Sequence, residues 1–587
     1  MPTQRLPLVG SFNTRGIAGN DTLTLNEDQR FLNCTFNLVQ NPVTGKATIY
    51  VEKRPGFGVD SVVASGQGST GLSKPQSFNA TLTAFGATNS TIYFGTTSVG
   101  TITGRALHFT ETLISGVGIV AIKSSDGTGW YYADGAKDDL TYVGDTHNGT
   151  AVIDSLDSTA GIYVGQAWAG TGIGASARVL SVDSATQITL NVNSTADGTD
   201  ITFTKTPIAK IIDADFITTG TFISAFVPLD GYLFYTTDDG YLRNSDLNSV
   251  TAYTSTSSIA VQMGPDAPVG VAIQNNAVVA LGTGTKEVFQ NAGLSSGSPL
   301  QRVTQPFQRV GCLDQRSITT LEDDVFFVST PFEGDLGVYR MRNLAASRIS
   351  TPNVDRIIGT VATGGAIYAS SFRLGGYAYA AFIVSLASDG PQSLLLQESG
   401  DSLLLENGDD ILLEDTAAQT ASYVMTPIYN INLNLWSEWD CSVATFIDGV
   451  SSGTANQIVA TSRFSTGGKV YTINPTSDSQ LYTDDGVAFT MEIRTSKVDH
   501  GTSKRKSVRE VTLEGADTES SGQPYLSWSD DDYSTWSTPR PFQWRDGKFA
   551  VTRCGSHKGG RAYKITDSSN APFRAEALGI TYTEAAW

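Results

Sequence analysis

Short apolar-polar alternations recur along this chain, each broken by Gly, Asn, Asp or Pro. They come in pairs across tight turns. TLTAFGATNSTIYFGTT (81–97) is one pair, and DGYLFYTTDDGYLRNSDL (230–247) is another, with Asp238-Asp239-Gly240 at its tip. NNAVVALGTGTKEVFQ (275–290) and DDVFFVSTPFEGDLGVYRM (323–341) follow, and then the looser GAIYASSFRLGGYAYAAFIV (365–384) and NQIVATSRFSTGGKVYTIN (456–474). Period-two alternation predicts strands, and the Gly- and Asp-bearing breaks predict hairpins. Tyr232, Val278 and Val325 hold matching positions in three successive units, about 46 residues apart, near the period of a four-stranded propeller blade. No long window carries helical periodicity. The pattern predicts an all-β chain built as an irregular β-propeller of about six or seven blades. An array of β-sandwiches with similar hairpins is the rival architecture.

Two segments interrupt the rhythm. Residues 146–204 contain short strands such as ARVLSV and TQITLNV between Gly and Asp turns, and read as an inserted small β module. The flanking strands Gly129–Ala133 and 208–212 are expected to pair across it, so that it projects from one blade. Residues 391–416 hold an acidic octad repeat in which Glu398, Glu406 and Glu414 match. The repeat reads as a solvated protruding hairpin. A calcium-binding reading competes with it, but the alternating Asp/Asn ligands of a calcium loop are missing. The expected division is an N-terminal strand or arm region at 1–60, a propeller core at 61–145 and 205–487 with the two insertions, and a C-terminal β-sandwich-like domain at 488–587.

Composition supports β structure: Gly numbers 59 of 587 residues, and charged residues are only 17%. The net charge of −19 argues against a protein that grips nucleic acid phosphates, although an acidic wall suits DNA that must slide without sticking. Cys34, Cys312, Cys441 and Cys554 lie far apart and predict buried free thiols, with neither zinc nor redox spacing. The opening MPTQRLPLVG has no apolar core and predicts no secretory leader. The longest apolar run, 377–384, is too short to span a bilayer.

Candidate chemistry is sparse. Residues 529–536, SDDDYSTW, resemble a sialidase Asp-box with Tyr533 at the usual Gly, and 124–130, SSDGTGW, is a weaker echo. Such boxes are turn motifs, in which the Asp accepts local backbone N–H groups and the Trp packs under the hairpin. A glycan-binding or glycan-cleaving, sialidase-like propeller is the alternative function they keep open. His108, His147, His500 and His557 fall in no metal-binding or triad spacing, and no catalytic, cofactor or metal residue is nominated. Arg494, Lys497, Lys504, Arg505, Lys506 and Arg509 form a basic run in an acidic chain. They read as a charged strand edge that blocks aggregation, as a contact with an acidic subunit or adaptor, or as a DNA contact.

A series of words in fixed order adds a resemblance. RPG (54–56) is followed by TKEVFQNAG (285–293), RVGC (309–312), VFFV (325–328), VYR (338–340), RIST (348–351) and the terminal SDDDYSTW. This order resembles the tail-hub or nozzle ("packaged-DNA stabilisation") proteins of short-tailed, podovirus-type bacteriophages. The module at 146–204, the acidic repeat and the absent Gly pair of the terminal hairpin depart from that pattern. The resemblance implies a structural protein of the virion tail, not an enzyme, folded in the host bacterial cytoplasm and without membrane insertion. It implies a homo-hexameric ring that continues the channel below the portal and adaptor and retains double-stranded DNA without reading its sequence. Fibres or spikes and a needle or plug would be its further partners. No cofactor is implied.

Overall fold

The computed structural model describes residues 3–9, 30–40, 47–62, 69–73, 85–88, 90–95, 97–294, 296–329, 336–361, 366–385, 426–440, 450–451, 458–461, 469–473, 481–500, 502, 504–515, 522–545 and 547–584. The acidic repeat at 391–416 and Cys441 lie outside the described residues.

Seven blades are formed by the described residues. Blade 1 holds Ser69–Ser73, Phe85–Thr88, Thr91–Phe94 and Thr97–Thr101. Blade 2 holds Ala106–Ile114, Val117–Ser124, Gly129–Ala133 and the end of Gly198–Lys210. Blades 3, 4 and 5 are four-stranded meanders that begin with Val227–Leu229, Pro268–Gln274 and Ile318–Leu321. Blade 6 holds Ala366–Leu374, Tyr377–Ser385, Thr426–Asn430 and Leu435–Trp439. Blade 7 takes Val450–Ser451, Ile458–Thr461 and Lys469–Ile473 from late in the chain, and its fourth strand, Phe57–Val62, from the beginning. That exchange ties the two ends of the ring, because blade 7 also packs against blade 1. The first strands of neighbouring blades stand side by side around the axis. Those of blades 2 to 6, with the residues that lead into them, line an open cavity of about 410 Å³.

Two of the three matching positions seen in the sequence are structurally equivalent: Val278 and Val325 each stand second after the first turn of their blade, whereas Tyr232 directly follows its turn and the equivalent residue there is Leu233. Tyr232, Val278 and Val325 all lie on the second strand of their blades. These strands are buried nearly throughout, since blade faces pack on both sides. Between blades 2 and 3, Phe216, Phe222, Phe226, Tyr235 and Tyr253 form one aromatic cluster with ring centroids 4.5–6.1 Å apart. Phe216 reaches it from a one-turn helix, Ala214–Thr218, capped by the Asp213 carboxylate.

The inserted module is built on one long strand. Gly198–Lys210 pairs at its far end with Thr141–Thr146 and at its near end with blade 2, where Trp130 faces Lys210 and Tyr131 faces Ala209. The pairing expected across the insertion is therefore present. The module has its own core, centred on Tyr142, Trp168, Ile188 and Phe203.

The C-terminal body is a sandwich. One sheet runs Thr3–Pro7, Ala577–Glu584, Lys506–Glu514, Lys548–Thr552 and Gln543–Arg545. The other runs Arg30–Leu32, Met491–Arg494, Ala562–Asp567, Tyr525–Ser529 and Arg540–Pro541. Val508, Val511, Leu526, Ile565 and Ile580 fill the space between them. Arg30–Leu32 also lies parallel to the last strand of blade 6, with Leu32 opposite Glu438, so sandwich and propeller share a continuous sheet. The described residues among the first sixty are thus distributed between the sandwich, blade 7 and a small sheet of Cys34–Gln40, Ala47–Lys53 and Arg574–Ala575. No helix among the described residues is long and apolar enough to cross a membrane.

Candidate functional site

The RPG word is a junction as well as a turn. Arg54 is fully buried. Its guanidinium donates to the Asp484 carboxylate at 2.9 and 2.5 Å, to Asn33 Oδ1 at 2.8 Å and to the Asp440 carbonyl at 2.9 Å. Its face lies 3.8 Å from the Phe489 ring centroid. These partners come from the N-terminal segment, the ends of blades 6 and 7 and the start of the sandwich. Next to it, the buried Lys53 ammonium meets Asp567 at 3.0 Å. Burial pulls the Lys53 pKa down, and Asp567 opposes that shift. Lys53 shares a strand face with Val51, two residues earlier, so alternation sends its side chain inward.

The six basic residues do not form one patch. Arg494 is 7% exposed and pairs with Glu492 at 2.6 Å. Lys506 is fully buried, and its ammonium donates to the Thr502 carbonyl at 2.5 Å. Lys497 pairs with Asp532 at 3.0 Å on the surface. Lys504, Arg505 and Arg509 are exposed. The inward turn of Lys506 was detectable from its place two residues before Val508, since both point into the core.

The terminal Asp-box is closed on itself. Asp531 accepts from Ser529 Oγ at 2.8 Å, the Thr535 amide at 3.0 Å and Thr535 Oγ1 at 2.5 Å. Those donors, with the Thr535 hydroxyl first, hold its carboxyl down to about 2. Tyr533, at the usual Gly position, adopts φ 67°, and its hydroxyl donates to the Thr495 carbonyl at 3.0 Å. In the weaker box Asp126 accepts from the Thr128 amide at 3.1 Å, and Trp130 Nε1 donates to Thr128 Oγ1 at 2.8 Å. Both boxes spend their polar atoms on the turn.

The words at 284–354 build the contacts between blades. Lys286 is buried and donates to Gln308 Oε1 at 2.7 Å and to the Leu344 carbonyl in blade 5. Arg340 and Arg342 both pair with Asp324, at 2.8 and 2.9 Å, which lowers the pKa of its carboxyl against the effect of burial. Gly311 fits where a Cβ would stand 2.4 Å from the backbone at Gly282, Thr283 and Gly284. Cys312 is buried beside it, and burial raises its thiol pKa well above the ordinary value. Cys34 and Cys554 are likewise free and buried.

Residues 163–370 match the family model described as Bacteriophage P22 Gp10, beta-propeller. The matched segment spans most of the module, blades 3 to 5 and the start of blade 6, and the family model it matches is of the kind that the word order resembles. It gives the protein a structural role in a bacteriophage tail. No curated protein matches the chain in sequence. Among solved structures, BBS1N in complex with ARL6DN is 10% identical with a TM-score of 0.33, covering 72% of this chain and 98% of that one. The N-terminal domain of Nup159 is 8% identical with a TM-score of 0.31, covering 76% and 98%. Likenesses at this level carry no argument about this chain.

Proposed function

We propose that this phage tail protein is the ring-forming hub, or nozzle, that continues the DNA channel below the portal and adaptor. The observation that carries the reading is the family match over residues 163–370. A homo-hexamer with a heterologous interface closes such a ring, each subunit presenting two different faces. The net charge of −19 suits a lumen that repels the DNA backbone while the packaged genome is held above a needle or plug. Fibres or spikes attach outside, and the module at 146–204, the repeat at 391–416 and the terminal domain are the segments offered to them. The work is done by contacts between subunits, with no bond-making step.

Lys504, Arg505 and Arg509 are exposed on the first residues of one sandwich strand and its approach, and they serve as the contact with an acidic subunit or adaptor. The test images the full chain by negative stain with and without its portal–adaptor complex, alongside light scattering. Rings with an open channel are expected. Lys504→Glu/Arg505→Glu/Arg509→Glu is expected to keep the folded mass and lose the rings. A stable monomer at every concentration, with and without the adaptor, refutes the hub.

A further inference from the structure

The axial cavity of the propeller changes character along its length. Its larger chamber is lined by first strands of several blades, including Phe109, Glu111, Val227, Val271 and Tyr368. At one end it continues into a chamber of about 230 Å³ lined by Arg105, Leu107, His108, Lys123, Ser125, Gln315 and Arg316. Blade 2 supplies Arg105 to Ser125, and the turn entering blade 5 supplies Gln315 and Arg316. In a strongly acidic chain, three cations and an imidazole line one pocket.

These groups differ in how well they are satisfied. Both amide atoms of Gln315 are taken by the backbone of Val271, at 2.7 and 3.2 Å. Arg316 pairs with Asp314 at 2.8 Å. Lys123 is only 8% exposed, and its ammonium has no hydrogen-bond acceptor among the described residues; the Phe222 ring lies 5.9 Å away. The His108 ring likewise has no hydrogen-bond partner among the described residues. Ser125 Oγ accepts from the Arg105 amide at 2.9 Å, which leaves its proton free to donate. Of the nearby carboxylates, Asp314 is engaged by Arg316 and Asp126 by Thr128, while Glu111 faces the larger chamber. A desolvated ammonium without an acceptor is costly. Burial first, and Arg316 second, push the Lys123 amine down to about 8. Burial, then Lys123 and Arg316, push His108 down to about 3.

We propose that this basic end of the propeller axis binds one tetrahedral oxyanion of the phosphate class, held by the Lys123 ammonium, the His108 imidazole, the Arg316 guanidinium and the Ser125 hydroxyl. The ion supplies the acceptor that Lys123 lacks. It also joins blade 2 to the entry of blade 5, so that one ligand braces the ring of blades. The site belongs to the propeller and is independent of assembly into a tail.

The test uses the full chain in phosphate-free chloride buffer at pH 7, titrated with inorganic phosphate at constant ionic strength by calorimetry and thermal unfolding. One saturable site is expected, with an unfolding midpoint that climbs with phosphate and not with chloride. Lys123→Met is expected to weaken binding about tenfold or more, the effect of one lost charge-assisted hydrogen bond, while keeping or raising the phosphate-free midpoint. Lys548→Ala, on the exposed face of the sandwich, is expected to bind as wild type does. Should Lys123→Met fail to fold, the His108 ring resonances of the wild-type protein decide, and phosphate must shift their titration upward. Absence of saturable binding, binding by Lys123→Met within twofold of wild type, or an unmoved His108 titration overturns the site.

Discussion

Asp484→Asn tests whether the Arg54 junction holds propeller and sandwich together. The substitution keeps the shape of the side chain and removes the charge that faces a guanidinium with no exposed surface. Arg54 keeps its bonds to Asn33 and the Asp440 carbonyl and its contact with Phe489, so the loss is confined to the pair at 2.9 and 2.5 Å. Breaking a buried pair by removing one charge costs about 3–5 kcal/mol, because the other charge stays desolvated. Arg54→Met removes the cation instead and is expected to cost a similar amount, since among the described residues Asp484 then keeps only the Phe57 amide at 3.2 Å. The double variant removes both charges, and its cost is expected to fall short of the sum by at least about 2 kcal/mol. Urea unfolding followed by tryptophan fluorescence gives the three values. Hydrogen exchange at residues 54–57 and 484–489 locates the change at the junction. A single variant within about 0.5 kcal/mol of wild type, or an additive double variant, refutes the reasoning.

Two further outcomes follow from the geometry. His557 is 4% exposed and neither ring nitrogen has a hydrogen-bond partner among the described residues; burial, then Arg561, lowers its pKa to about 4 from the ordinary 6.5. Between those values the unfolded chain binds the extra proton, so stability is expected to rise with pH from about 4 to 6.5, and His557→Phe is expected to flatten that slope in urea midpoints measured across the window. Gly165 has φ +87° and sits where a Cβ would stand 1.9 Å from the Lys210 carbonyl oxygen, at the seam of module and blade 2. Gly165→Ala is therefore expected to cost about 1–3 kcal/mol and to speed proteolysis within 141–204 ahead of the propeller; unchanged cleavage would refute the seam.

The blades were legible because they are local. Each hairpin's strands are neighbours in sequence, and period two, turn residues and a spacing of about 46 all report on contacts within one blade. Closure of the ring was not legible, because Phe57–Val62 finds its partner in Lys469–Ile473, some four hundred residues on, with Val62 opposite Lys469. No local pattern marks a strand as the fourth of a blade begun elsewhere. The sharing of Thr3–Pro7 and Arg30–Leu32 with the sandwich, and of Phe57–Val62 with the propeller, was hidden for the same reason.

The charged residues follow a different rule. A basic run read by composition suggests a surface, yet strand geometry assigns each side chain to a face. In KRKSVRE (504–510) Lys506 and Val508 point inward while Arg505, Ser507 and Arg509 point outward, and a bulge between Val508 and Glu510 restores Val511 to the core side. In the same way Lys53 follows Val51 into the junction, and Lys286 enters the space between blades 4 and 5. Read with the pleat, the sequence therefore separates cations that build the fold from those left to meet a partner. Lys123 meets the inward criterion, on a strand buried along nearly its whole length, but unlike Lys53 and Lys286 it finds no acceptor at the end of its side chain among the described residues. A structural lysine in this chain is one whose ammonium is answered by a carboxylate, an amide or a carbonyl. An inward lysine left unanswered beside two arginines and an imidazole is the exception that marks a site for an external anion.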